Sequence, residues 1–379
     1  MGIARDCITV WNAAASGVVA KTAQTRQKYW KNWAKYASLC GIDPFLLNVP
    51  PLERDVVVTA FAARVRKGTY GRGAQIRVSG VTDALAAISK TIELAGQPSP
   101  LYRADQKYTL SIERMVEGFR REDPPSTPQL AVPVIVPHTC YKAGLLSEDP
   151  KITASGCLAT IAFYFLLRVG EYTQPRFIVR NGKKVRATRT KQFSVGDIGF
   201  FKDGKILSRT SSLEILLTAD AATLKISNQK NGRMGETIHH QAIGKEGCPI
   251  QALARRVHHV LHHKGTVNNL LCDYWKDGQW MSINSIDIIN LVRSSVKTLG
   301  LHKNGIDADL VGSHSLRAGG AMALKLNNHS DTTIKKMGRW SSLTFLQYIH
   351  TQISHLSKDL SKDMSRDLPF LNIATIEGH

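Results

Sequence analysis

The feature that most constrains this chain is a proline-rich segment one third of the way along it, Glu122 to Pro137, reading EDPPSTPQLAVPVIVP. Each proline fixes φ and lacks an N–H, so no regular helix runs through five of them, and the Ser and Thr suit an exposed connector. The segment therefore predicts two domains: a module over 1–122, a linker over 123–137 and a second domain over 138–379. A length of 379 residues agrees, because each part is long enough to bury its own core.

The two parts differ in pattern. Thr22 to Leu39 carries Tyr29, Trp30, Trp33 and Ala37 at helical spacing, with Gly41 as a stop. Leu52 to Val65, Gln75 to Leu94 and Gln106 to Phe119 keep the same one-sided apolar pattern, which predicts a four-helix module. Beyond the linker, Lys151 to Arg168 predicts a strongly apolar helix. Lys191 to Gln241 then changes to short β-type runs, Leu213 to Leu217 and Thr223 to Ile226 among them, with a hairpin turn at Lys230-Asn231-Gly232. Helical patterns return at Pro249 to His263, Ser285 to Leu299, Ser315 to Leu326, Asp331 to Met337 and Ser342 to Ser357. The fold class predicted is mainly α with one small β-sheet, an α+β arrangement, in the second domain.

Charge bounds the partner. With 50 Lys and Arg against 30 Asp and Glu, the chain carries a formal +20, which calls for a polyanion; nucleic acid, an anionic membrane surface and heparin-like polymers all fit. Two basic clusters stand out. Arg64, Arg66, Lys67, Arg72 and Arg77 lie at a helix junction, and Lys183, Lys184, Arg186 and Arg189 precede the predicted sheet. Both are candidate phosphate ligands. The apolar run Ile161 to Leu167 is far shorter than a membrane span requires. The six cysteines are scattered without CxxC pairing and the N-terminus lacks a signal-peptide pattern, so an intracellular, reducing location is expected.

The chemistry is concentrated in the second domain. His314 and Arg317 stand three apart at a predicted helix start, where both can face an anion. Trp340 follows 23 residues after Arg317, and Tyr348 eight residues after that, on a helix that Ser341 or Ser342 could cap. Upstream, Arg168 is predicted to end an apolar helix, a costly place for a guanidinium unless an anion meets it, and Glu171 can hold it in place. Lys230 sits at the hairpin tip. Together these residues supply two bidentate phosphate clamps, an imidazole, an ammonium, an indole donor and a phenol.

Arg168, Lys230, His314 with Arg317, Trp340 and Tyr348 resemble the Arg, β-hairpin Lys, His-x-x-Arg, His/Trp and Tyr set of the tyrosine recombinase (phage integrase-like) family. The wording LLRVGEYT, SNQKNG, HSLRAGGA and GRWSSLTFLQYIH looks closest to recombinases of eukaryotic Crypton and DIRS-like mobile elements. The eight-residue step from Trp340 to Tyr348 is one shorter than in many bacterial and phage members. The resemblance implies a helical core-binding domain followed by a catalytic domain, closed as a C-shaped clamp on double-stranded DNA. It implies that Tyr348 is the nucleophile, leaving a 3′-phosphotyrosine and a 5′-hydroxyl. Arg168 and Arg317 would clamp the phosphate, with His314 and Trp340 as further donors and Lys230 as general acid. Neither metal, cofactor nor ATP is then required. A tail with Ile353, Leu356, Leu360 and Met364 at helical spacing would be exchanged between protomers of a tetramer, and a eukaryotic host would place the protein in the nucleus.

Two other readings share these residues: a domesticated DNA-binding protein that no longer cuts, and a type IB topoisomerase-like enzyme. The pairs His258/His262 and His259/His263 have a spacing able to bind zinc, but no Glu or Cys completes a site, so they are read as a DNA-facing or solvated surface.

Overall fold

A computed structural model describes residues 17–71, 73–125, 129–180, 182–188, 190–227, 235–349 and 364. Its contacts divide the chain into two compact units, residues 1–127 with 176–189, and residues 128–175 with 190–379. The described residues are mainly helical with small antiparallel sheets. No helix among them is long and apolar enough to cross a membrane.

The first unit is built on α1 (Ala20–Leu39), α2 (Arg54–Arg66), α3 (Val78–Leu94) and α4 (Leu110–Glu122). Their apolar faces meet around Trp33, Phe61, Leu85, Ile88 and Ile112, all fully buried. Trp33 sets the centre: its ring meets Phe61 edge-on at 5.3 Å, and its Nε1–H donates to the Pro44 carbonyl at 2.8 Å. The large aromatic is therefore buried without an orphaned donor.

Three of these helices begin later than the periodicity predicts, α3 and α4 by the most. α3 starts at Val78 because the Asp123 carboxylate accepts from its backbone N–H at 2.8 Å. α4 starts at Leu110 because the chain turns first, with Gln106 at φ 62° and Tyr102 stacked on Tyr108 at 5.1 Å. Arg66 is not turned to solvent. It is 4% exposed, donates to the Ile76 carbonyl at 2.8 Å and to Asp123, and reaches Glu122 at 3.4 Å. Its hydrogen bond to Asp123 holds that carboxyl below the usual range.

A β-hairpin completes this unit, although its flanks belong to the other. β1 (Phe177–Arg180) and β2 (Lys183–Arg186) pair in the register Phe177 to Arg186 and Val179 to Lys184, and Ala187 accepts from the Lys21 N–H at 3.3 Å. Lys183, Lys184 and Arg186 of the second basic cluster thus lie on one strand of this pair.

In the second unit, α5 (Ile135–Leu146) begins inside the proline-rich segment, and Pro137 sits in its first turn, where a missing N–H costs no bond. α6 (Pro150–Tyr164) is the central helix, buried without interruption from Ala154 to Phe163. It lies so close to α5 that a Cβ at Gly156 would stand 2.3 Å from the Cys140 carbonyl oxygen. The apolar helix therefore ends at Tyr164, not at Arg168. Leu166 takes a left-handed turn at φ 48°, and Arg168 precedes the four-residue α7 (Val169–Tyr172).

The sheet has the antiparallel order β4-β3-β5-β6, formed by β3 (Ile198–Lys202), β4 (Lys205–Leu207), β5 (Ala221–Ile226) and β6 (Glu236–Gln241). Ile198, Phe200, Ala222 and Leu224 turn inward from β3 and β5. Leu213–Leu217 is not a strand but the short helix α8. The Ser212 hydroxyl caps it at Ile215 N–H, and Leu-Glu-Ile-Leu-Leu lacks the two-residue alternation a half-buried strand needs.

α9 (Pro249–His262) follows, then a hairpin absent from the sequence reading, β7 (Asp273–Lys276) with β8 (Gln279–Ser282). The unit therefore holds more than one small sheet. After it come α10 (Ser285–Thr298), α11 (Ser315–Leu326) and α12 (Asp331–Gly338). The predicted helix from Ser342 is a 3-10 helix, Leu343–Tyr348, in its described part. The tail residues Ile353, Leu356 and Leu360 lie outside the described residues, and Met364 is exposed.

Candidate active site

The turn between α6 and α7 and the end of α12 come together at one place, fixed by the close approach of α11. Gly319 and Gly320 make that approach possible: a Cβ on either would fall 2.1 Å from the Val132 carbonyl oxygen or 2.2 Å from that of Phe163. Arg317, in the first turn of α11, is thereby carried inward to 2% exposure. Its two terminal nitrogens donate to the carbonyls of Leu166 and Gly338. Its guanidinium also lies 4.2 Å from the centre of the Trp340 ring, a cation–π contact. Trp340 can fold back over it because residue 338 is glycine; any Cβ there would overlap the indole. Leu166, Ala321, Ile334 and Phe345 enclose the ring in a small apolar cluster of its own.

Arg168 is 19% exposed and its Nη1 lies 3.2 Å from Glu171 Oε1. Glu171 also accepts from the Arg168 backbone N–H at 2.8 Å, which closes α7 at its start. A third arginine, Arg339, was not among the residues singled out from the sequence. It donates in parallel to both oxygens of Glu171, at 3.1 and 2.9 Å, with both side chains almost wholly buried. Its Nη2 reaches the Leu166 carbonyl at 3.3 Å, and its own carbonyl accepts from Arg168 Nη2 at 3.4 Å. Burial alone would raise the Glu171 carboxyl, yet Arg339 and then Arg168 hold it below the ordinary range. The sequence signal for Arg339 was faint: a charged residue between a helix-ending glycine and a buried tryptophan.

The structure thus brings Arg168, Glu171, Arg317 and Trp340 together through Leu166, Gly338 and Arg339. His314 lies at the N-terminus of α11, exposed, with its backbone N–H on Gln129 Oε1 at 2.9 Å. Tyr348 ends the 3-10 helix by its backbone; its side chain lies outside the described residues. Lys230 is outside them as well. The strands that lead to it are described, paired as far as Ile226 and Glu236. Beside the cluster is a cleft of about 530 Å³ lined by Lys335, Lys336, Arg339 and Trp340 from one side and Glu236 and His239 from the other.

Among the basic candidates, Arg64, Lys67, Arg77, Lys183, Lys184 and Arg186 are exposed, Arg72 and Arg189 lie outside the described residues, and Arg66 faces inward. Arg66 is therefore corrected from a phosphate ligand to an internal tie, because two carboxylates and two carbonyls occupy it. Cation and apolar groups alternate on one face of the hairpin, where Lys184 covers the Phe177 ring at 4.9 Å.

Of the four histidines read as a DNA-facing or solvated surface, His258, His259 and His262 lie in α9 and His263 caps it, and only His262 is exposed. His259 is half-buried, and its Nε2 accepts from the Trp275 backbone N–H at 3.0 Å. Burial, with Arg256 nearby, pushes its pKa down to about 3, so it is a neutral acceptor. No group of three metal-capable side chains occurs among the described residues.

No protein-family model and no curated protein matches the chain. Among solved structures, it is similar to the XerH site-specific recombinase bound to difH substrate, with TM-score 0.46 and 14% identity over 82% of this chain and 70% of that one. It is similar also to the Tn1549 transposon integrase in complex with transposon right end DNA, with TM-score 0.43 and 10% identity over 82% and 85%. The XerA recombinase gives TM-score 0.37 and 15% identity over 90% and 93%.

Proposed function

We propose that this chain is a tyrosine recombinase that cuts and rejoins duplex DNA for a mobile element of the Crypton or DIRS-like kind. The observation that carries this reading is the assembly of Arg168 and Arg317, 149 positions apart in the chain, on the Gly338-to-Trp340 turn, where Arg317 donates to the Gly338 carbonyl and Arg168 to that of Arg339. From that turn the chain runs directly to Tyr348.

Phosphodiester cleavage must stabilise a phosphorane that carries extra negative charge and must protonate a poor alkoxide leaving group. Guanidinium groups meet the first need through paired N–H donors. In the proposed step the Tyr348 oxygen forms a bond to phosphorus as the phosphorus–O5′ bond breaks. The phenolic proton passes toward His314, and Lys230 gives a proton to the departing 5′-oxygen. Attack by a 5′-hydroxyl of the partner strand reverses these bond changes. The ester linkage is conserved throughout, so the exchange needs no nucleotide hydrolysis.

DNA would be held by the exposed cations Arg64, Lys67 and Arg77, with Lys183, Lys184 and Arg186 on β2. The stretch from Arg176 to Arg189 contains no acidic residue. Each neutralised phosphate should add about 0.9 to the slope of log affinity against log salt. We propose further that the chain after Tyr348 joins protomers into a tetramer across two sites.

One observation favours a second reading, a DNA-binding protein that does not cut. Arg317 is 2% exposed and both its terminal nitrogens donate to backbone carbonyls, which limits the N–H groups it can offer to phosphate oxygens. The same experiment separates the two. Nicked duplexes tiled across the DNA that flanks the gene are incubated with the protein, and SDS-resistant protein–DNA adducts are sought. The recombinase reading expects adducts that disappear in Tyr348→Phe while DNA binding is retained. Tight binding without any adduct would leave the second reading standing.

A further inference from the structure

Four charged groups are packed into the proposed site: the guanidiniums of Arg168, Arg317 and Arg339 and the carboxylate of Glu171. Their sum is two positive charges, which matches the two negative charges of a phosphorane. Without Arg339 the sum would be one, and the carboxylate 3.2 Å from Arg168 would face that guanidinium alone. Both terminal nitrogens of Arg339 are committed to Glu171, in the geometry that gives a guanidinium–carboxylate pair its strength.

The position is unfavourable for arginine in two respects. Its φ of 58° lies in the left-handed region, where glycine would be unstrained. Its Nε is buried with no hydrogen-bond partner, a loss that a methionine of similar volume would avoid. Packing and backbone geometry therefore do not account for an arginine here. Charge does.

We propose that Arg339 is a positioning residue for phosphoryl transfer: by taking up the charge of Glu171 it leaves the Arg168 guanidinium's charge for the phosphate, while its carbonyl helps to aim that guanidinium. The inference rests on the recombinase reading. It adds an arginine that acts through its neighbours, without touching the substrate.

The test compares two nicked duplexes that differ at the scissile position, one an ordinary phosphodiester and the other an uncharged methylphosphonate. A purely structural role would lower adduct formation on both alike. The charge role predicts that Arg339→Met loses at least tenfold on the phosphodiester and less than threefold on the methylphosphonate. It also predicts that Glu171→Gln/Arg339→Gln, which restores the sum of two charges, recovers the wild-type ratio between the substrates. Should Arg339→Met fail to fold, that double variant still decides: a ratio shifted away from wild type overturns the proposal. Equal losses of Arg339→Met on both substrates overturn it while leaving the recombinase reading intact. Absence of any wild-type adduct overturns both.

Discussion

Gly320→Ala perturbs the site without touching any of its charged groups. The new Cβ would stand 2.2 Å from the Phe163 carbonyl oxygen and 2.4 Å from Leu166 Cδ2, the first of these a backbone atom of the central helix α6. Ordinary contact would require α11 to retreat by roughly 1 Å, and overpacking of this kind costs about 1–3 kcal/mol, more where backbone is hit. At the size of the second unit, a loss of about 3 kcal/mol lowers Tm by roughly 6–12 °C. The chemistry should suffer more than the stability. Arg317 rides on α11 and Leu166 forms the turn before Arg168, so both clamps move, and a misplacement of about 1 Å costs on the order of 100-fold in rate. Differential scanning calorimetry gives the first number and adduct kinetics, well below the melting transition, the second. Gly118→Ala is the control: it is exposed within α4 with nothing within 4 Å of the added Cβ, and should stabilise the first unit by about 0.5–1 kcal/mol. A Gly320→Ala protein with unchanged Tm and unchanged adduct rate would show that α11 is not held as closely as described.

Arg66→Met should lower the denaturation midpoint of the first unit, because it removes the guanidinium that ties Asp123 and Glu122 to the Ile76 and Phe119 carbonyls, yet leave the salt slope of DNA binding unchanged in a filter-binding series. Lys67→Ala should do the reverse, lowering the slope by about 0.9 with little effect on chemical denaturation. His240 predicts an acid-sensitive second unit: its Nε2 is buried without a partner, and burial pushes the ring's pKa down to about 4. Because the unfolded chain takes up that proton near its ordinary pKa of about 6.5, stability present above that pH is lost as pH falls toward 4. The slope is at most about 1.4 kcal/mol per pH unit, less where water reaches the ring edge. Urea titrations at several pH values should show this slope, and His240→Phe should flatten it.

Most helices were legible in the sequence because one-sided periodicity is a strong local signal, whereas nothing local assigns residues 176–189 to the first unit. Trp33, Phe61 and the uninterrupted Ala154 to Phe163 run fall where the apolar pattern places them. Local signals also existed for the strands that went unread. Asp203-Gly204 and Asp277-Gly278 both have positive φ, the conformation a two-residue hairpin turn demands, and each joins paired strands. Leu213–Leu217 has the apolar content of a strand, yet the Ser212 hydroxyl ahead of it starts a helix.

The site shows where reading along the chain stops. Arg168 and Glu171 are three apart, so their ion pair can be read locally, whereas Arg339 meets Glu171 from 168 positions away. That partnership depends on α11 nesting against α6, which no periodicity encodes. The left-handed turn at Leu166 is equally tertiary: a leucine adopts φ 48° only where surrounding packing holds it there.

The β1–β2 hairpin has a consequence for inheritance. Its residues 176–189 belong to the first unit although the chain on both sides belongs to the second, so the polypeptide passes between the units three times. A gene fragment ending at the proline-rich segment would encode 1–127 without those strands, leaving the Lys21 N–H without the Ala187 carbonyl that receives it. The first unit is not a cassette that a single genetic crossover could shuffle. Any relative that exchanged one unit must have replaced two separated stretches of sequence together, and a viable chimaera of these units should carry its hairpin from the same parent as Trp33.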